Sequence, residues 1–110
     1  MSAKKSYHHG DLKNALIRAG VEILAEQGVG GLSLRQVALR AGVSHAAPYA
    51  HFVDKQSLIA AISTDGFRHL YEKLAETASA NRLDPRRQLF ETAAAYLEFA
   101  AEDPAHFKIM

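Results

Sequence analysis

The stretch from Ser33 to Phe52 constrains this chain more than any other: Ser-Leu-Arg-Gln-Val-Ala-Leu-Arg-Ala-Gly-Val-Ser-His-Ala-Ala-Pro-Tyr-Ala-His-Phe. It reads as two short helices with a tight corner between them. Ser33 is placed to cap the first helix, and Gln36 three residues on completes a capping box. Leu34, Val37, Ala38 and Ala41 recur at i, i+3, i+4 and i+7, so one face of that helix is apolar. Gly42 supplies the left-handed backbone that ends it. Val43 plugs the corner, and Ser44 is expected to cap a second helix carrying His45, Tyr49, His51 and Phe52. Two helices joined by a glycine-containing corner form a helix-turn-helix, whose second helix enters the major groove of DNA.

A helical corner also occurs in all-helical proteins that never touch DNA. The chemistry of the second helix argues for the DNA reading. Its outer positions, Ser44, His45, Ala46, Ala47, Tyr49 and His51, are small or hydrogen-bonding residues, and no acidic residue lies anywhere from Gln27 to Val53. A solvated surface helix normally mixes both signs of charge, whereas a face meant for phosphates excludes the negative one.

The overall charge of +1 says little, but its distribution says more. Residues 1–55 hold seven Lys/Arg against four acids, and residues 56–110 hold six against eight. A basic head on an acidic body is the asymmetry of a DNA reader attached to something else. The absence of cysteine excludes disulfides and thiolate-ligated zinc and fits a reducing cytoplasm. No apolar run approaches the ~20 residues of a membrane span, and the N-terminus lacks the apolar core of a signal peptide.

The expected fold is all-α. Residues 1–10, with Lys4, Lys5 and the adjacent His8 and His9, read as a flexible N-terminal arm, either a solvated tail or a contact to phosphates. Two adjacent histidines without further ligands in register do not define a metal site, and no metal or cofactor is expected. A helix spans 11–27, with Leu12, Leu16, Ala19 and Ile23 on one stripe and Ile17 and Leu24 beside it. Gly28, Gly30 and Gly31 end it. The corner follows, with helices over 34–41 and 45–51. Asp54 caps a long helix over 55–80, with Leu58, Ile59, Ile62, Phe67, Leu70 and Leu74 as its buried positions, and Gly66 within it marks close packing or a bend. Asp84-Pro85 and Asp103-Pro104 each pair a cap with a proline at the first helical position. They start a helix over 85–102, with Leu89, Ala93, Tyr96, Leu97 and Ala100 on its packed face, and another after Pro104.

At the residues of the corner and its flanks the chain resembles the tetracycline-repressor (TetR) family of bacterial transcription regulators. The likeness runs from about Leu12 to Ile62. It is carried by Ala19, Gly28, Leu32-Ser33-Leu34-Arg35, Val37-Ala38, Ala41-Gly42-Val43-Ser44, Tyr49-Ala50-His51-Phe52, Lys55 and Leu58. Tyr7-His8-His9-Gly10-Asp11-Leu12, Ala46-Ala47-Pro48-Tyr49 and Asp103-Pro104-Ala105-His106-Phe107 resemble one branch of it. The resemblance implies a three-helix DNA-binding domain over 11–57. A long connecting helix and part of a helical ligand and dimerisation domain would occupy 58–110. It also implies a transcriptional regulator, a repressor in most members, that binds a palindromic operator in double-stranded DNA as a homodimer. A small-molecule inducer then releases it.

Site roles follow from the same resemblance. Arg35 would read a guanine edge or pair with a phosphate. His45, Ala46 and Ala47 would meet base edges, the alanines through thymine methyls. Tyr49 and His51 would hold the DNA backbone, with Ser33, Ser44 and Lys55 as further phosphate contacts, and Phe52 would be buried. Two departures stand out. Pro48 replaces a branched apolar residue and removes a backbone donor, and Ala50 replaces a larger side chain, so one backbone contact is expected to be lost. In the family several more helices follow the segment that ends here. The chain is therefore expected to be truncated within the regulatory domain, with Phe90, Tyr96, Leu97 and Phe107 as the beginning of a ligand pocket. As given it is expected to bind half-sites weakly and to ignore inducer. The competing reading is a helical protein-interaction module without DNA binding. An enzyme is not expected, because no serine or cysteine nucleophile is arranged with His51 and Asp54 and there is no phosphate loop.

Overall fold

The computed structural model describes residues 9–110. They form five α-helices: α1 (His9–Gln27), α2 (Leu34–Ala41), α3 (Lys55–Ala80), α4 (Pro85–Glu102) and α5 (Pro104–Ile109). Single 3-10 turns span Val29–Gly31 and Ala47–Ala50. Among the described residues there is no strand, and the fold is all-α. The arm expected over residues 1–10 lies mostly outside the described residues, except that His9 and Gly10 already belong to α1. The chain divides into two compact units, one ending at Ile62 and one from Ser63 to Met110.

The first unit is organised as its apolar periodicity requires. Leu16, Ile17, Ala19, Ile23 and Leu24 of α1 are buried, with Leu34, Val37 and Ala38 of α2. Leu32, Phe52 and the α3 residues Leu58 and Ile62 complete the core. Full burial of each large aliphatic side chain is worth roughly 1.5–3 kcal/mol. Gly20 permits close approach, since a Cβ there would lie 2.7 Å from Ile62 Cδ1. The α2 caps form as expected: the Gln36 N–H donates to Ser33 Oγ at 3.0 Å, and Gly42 closes the helix at φ 74°. The N–H groups of Gly42 and Val43 then donate back to the carbonyls of Leu39 and Ala38, satisfying the last turn.

The helix expected over 45–51 is a correction. Ala47–Ala50 form one 3-10 turn, preceded by a turn at His45 and Ala46. Its cap residue is Ala46 rather than Ser44, and no side-chain cap bond is made there. Pro48 supplies the reason. It has no N–H for an i→i−4 bond and biases Ala47 away from the α-helical region. Tighter bonds close the turn instead, Ala47 N–H to Ser44 O, Tyr49 N–H to Ala46 O and His51 N–H to Pro48 O, at 3.0–3.1 Å. The proline ring itself is fully buried, so it serves the core as well as the turn.

The second unit holds the rest of α3 with α4 and α5. Asp84 caps α4 through the Arg87 N–H at 3.2 Å, and Asp103 takes the same role for α5. Leu70, Ala95 and Phe99 are buried, and so is His106. Two expectations are corrected. Phe67 is 51% exposed, with Ile59 and Leu74 half-buried. On α4 the packed face is Thr92, Ala95 and Phe99 rather than the stripe through Leu89 and Leu97, which are 75% and 67% exposed. Apolar residues surround α4 on several sides, so periodicity alone did not fix which face packs. Of the residues expected to begin a pocket, Phe90 and Leu97 are exposed, and Tyr96 meets Phe107 edge to face at 6.0 Å. Gly66 marks close packing: a Cβ there would lie 2.8 Å from Met110 Sδ and 3.0 Å from His106 Cδ2.

Candidate nucleic-acid interface

The residues singled out for DNA contact fall on three consecutive pieces of the first unit. Ser33 and Arg35 lie at the start of α2, Ser44 to His51 on the corner and its 3-10 turn, and Lys55 at the first position of α3. Arg35, Ser44, His45 and Ala46 are exposed, and Tyr49 is 61% exposed although it is aromatic. Among the described residues Arg35 takes part in no ion pair. Its guanidinium is exposed to solvent.

Several expected contacts are partly committed inside the protein. The Ser33 hydroxyl oxygen accepts the Gln36 N–H, which leaves its O–H as the group to donate elsewhere. The Lys55 ammonium donates to the Val29 carbonyl at 2.9 Å, tying the start of α3 to the loop after α1. Two of its three donors remain. Ala47 and His51 are half-buried, and the His51 ring packs at 6.1 Å from Phe52. Phe52 is buried as expected.

Asp54 stands beside this surface as the cap of α3. The Ser57 N–H and O–H both donate to its Oδ1 at 2.9 Å, and these bonds hold its carboxyl below the ordinary value. The carboxylate is thereby turned onto its own helix terminus.

One arrangement was missed in the sequence. Arg40 of α2 is clamped by two carboxylates of α1. Its Nη1 and Nη2 donate to the Glu26 carboxylate at 2.7 and 2.6 Å, and Nη1 reaches Glu22 at 3.5 Å. The Arg40 hydrogen bond holds the Glu26 carboxyl below its ordinary value, and the same bond raises Arg40. Glu22 and Glu26 stand at i and i+4 on one face of α1, a like-charge pair whose repulsion Arg40 relieves. The clamp fixes α2 on α1 with bidentate geometry. It also separates the two arginines of α2: Arg40 is paired with α1, and Arg35 is exposed.

These features define a class of fold, a helical corner of the helix-turn-helix kind with an acid-free face. Residues 16–62 match the model of bacterial regulatory proteins of the tetR family. Over 99 residues it is 25% identical to YobS, an uncharacterized HTH-type transcriptional regulator of Bacillus subtilis (strain 168), covering 90% of this chain and 51% of that protein. Over 50 residues it is 44% identical to the tetracycline repressor protein class A from transposon 1721 of Escherichia coli, covering 46% of this chain and 23% of the repressor. A solved structure of a protein with unknown function from Rhodococcus sp. RHA1 superposes with a TM-score of 0.83 at 38% identity, covering 97% of this chain and 55% of that one. The chain spans about half the length of YobS and of the Rhodococcus protein, and less of the repressor. Among the described residues, no helix is long and apolar enough to cross a membrane.

Proposed function

We propose that the first unit reads double-stranded DNA in a sequence-dependent way and that the protein is a transcriptional regulator. The observation that carries this reading is the surface from Gln27 to Val53. It is free of acidic residues and presents Arg35, Ser44, His45 and Tyr49 to solvent on consecutive pieces of one corner. Arg35 supplies base readout through the two acceptors of a guanine edge. His45 supplies polar readout from the turn, and Ala46 and Ala47 allow close approach to thymine methyls. Tyr49, Ser44, Ser33, His51 and Lys55 position the unit on phosphates, with Lys55 adding its charge to the N-terminus of α3. The 3-10 turn presents these residues from a short, sharply bent corner, so fewer base pairs are read than a full recognition helix would contact.

The reading extends, on the family likeness, to a homodimer on a palindromic operator, repression, and release by a small molecule bound in the C-terminal domain. Half-sites about one helical turn apart require a fixed spacing between two heads. A ligand acts only through different affinity for two spacings.

Binding to DNA fragments from upstream of the reading frame, followed by fluorescence anisotropy across a salt series, tests the proposal. Affinity should fall linearly in log–log with added salt, leaving a sequence-dependent preference. A chain that binds no duplex at low salt would instead be a helical protein-interaction module.

A further inference from the structure

Asp65 and His69 stand one turn apart on α3, and α5 brings His106 against them. One ligand atom from each, a carboxylate oxygen and two imidazole nitrogens, lie within 4.8 Å of one another. His106 Nε2 is 3.1 Å from Asp65 Oδ2, and His69 Nδ1 is 3.8 Å from the same oxygen. The two rings meet edge to face at 5.8 Å. We propose that Asp65, His69 and His106 form a binding site for one divalent transition-metal ion of the zinc class, with at least one coordination position left open.

The surroundings of His106 argue for this beyond proximity. Its side chain is only 6% exposed, and its Nδ1 lies 2.7 Å from Asp103 Oδ2. A neutral imidazole carries one N–H, and the short contact to Asp103 places that proton on Nδ1. Nε2 then presents a lone pair toward the Asp65 carboxylate, which presents lone pairs of its own. Two acceptors face each other at 3.1 Å, and a cation between them resolves the conflict.

A carboxylate holding one histidine nitrogen so that the other meets a metal is a recurrent outer-shell arrangement. The remaining Asp65 oxygen, Oδ1, accepts from Arg68 at 3.3 Å, which fixes the carboxylate plane and leaves Oδ2 for the ion. Ligand atoms about 2.0–2.2 Å from a tetrahedral ion sit roughly 3.3 Å apart. The 3.1 and 3.8 Å separations bracket that spacing, and His69, at 51% exposed, is free to close the remainder. Two imidazoles and one carboxylate favour zinc, cobalt or nickel over magnesium and calcium, which take oxygen donors. Exposure of His69 gives the ion a route in and leaves room for water or a small donor as the fourth ligand. Gly66, one residue after Asp65, lets α5 come this close.

Cobalt(II) titration of the full chain, followed by visible absorption, tests the site. His8 and His9 are first replaced by alanine so that they contribute no ligands. One equivalent of cobalt should give d–d bands, zinc should abolish them, and millimolar magnesium should not. His69→Ala, at an exposed position that leaves the core intact, should weaken binding about 100-fold, and Asp65→Asn similarly. Asp103→Asn should cost about 10–100-fold, as loss of an outer-shell partner does. Absence of stoichiometric cobalt binding would overturn the proposal and leave His106 as a structural group between Asp65 and Asp103. Binding that survives both His69→Ala and Asp65→Asn would overturn it by placing the metal elsewhere.

Discussion

Arg35 and Arg40 lie on the same two-turn helix and have opposite fates. Arg40 is held by two carboxylates of α1, whereas Arg35 is exposed and forms no ion pair among the described residues. Replacing Arg35 by alanine should therefore leave the thermal melt unchanged while weakening cognate DNA binding by ~1–3 kcal/mol and relaxing preference at one base pair. Tyr49→Phe should weaken binding across all sequences, again without lowering the melting temperature. An early melt in either variant would make the residue structural. Arg40→Ala should do the reverse, lowering the melting temperature first. Acid should act through the same bonds. Glu26 and Asp54 are held below their ordinary values of 4.5 and 3.8, so their contribution is fully present above those values. It is lost as pH falls through the lower folded-state values. Glu26→Gln and Asp54→Asn should flatten the loss of stability below about pH 4.5, measured by circular dichroism, by removing groups with that ordinary range. Arg35 and Tyr49 could be singled out in the sequence because they lie off the apolar stripes. The clamp on Arg40 joins residues 14 and 18 positions apart, and no local pattern connects them.

At the scale of elements, helix ends were legible wherever a cap and a breaker coincided. Ser33 with Gly42, Asp84 with Pro85, and Asp103 with Pro104 each fixed a boundary by local chemistry. The segment expected as a helix over 45–51 departs from its local pattern at Pro48, which does more than remove a donor. Its effect on Ala47, and the buried place its ring takes, turned a short helix into a 3-10 turn. The packed face of α4 was illegible for another reason: its apolar residues leave too little contrast between faces. Two glycines test these elements. At Gly42 a Cβ meets open space, so Gly42→Ala should cost only the left-handed backbone strain, ~1–2 kcal/mol. That corresponds to a fall of at least roughly 4 °C in melting temperature. Gly66→Ala is different, because the added Cβ meets Met110 and His106. Helix propensity improves by ~1 kcal/mol, but His106 is held between Asp65 and Asp103 and yields poorly. Cobalt affinity should therefore fall even if the melt is unchanged.

For the whole molecule, the two units carry different chemistry. The first half has the excess of basic residues and the acid-free corner, and the second half is net acidic and holds the Asp65–His69–His106 cluster. The helical class and the acid-free corner were legible because both rest on local spacing and composition. The metal cluster was not, since His106 and Asp65 are 41 positions apart and only folding brings them together. The proposed function rests on an acid-free corner, with Arg35 as its base reader, conferring sequence-dependent DNA binding. Selection from a random duplex pool, followed by anisotropy of the selected and a scrambled duplex with the parent chain and Arg35→Ala, tests it most directly. An enriched sequence that the parent prefers is expected, with Arg35→Ala losing most of the preference while keeping salt-dependent binding to both duplexes. No enriched sequence, or an Arg35→Ala chain that discriminates as well as the parent, would contradict it.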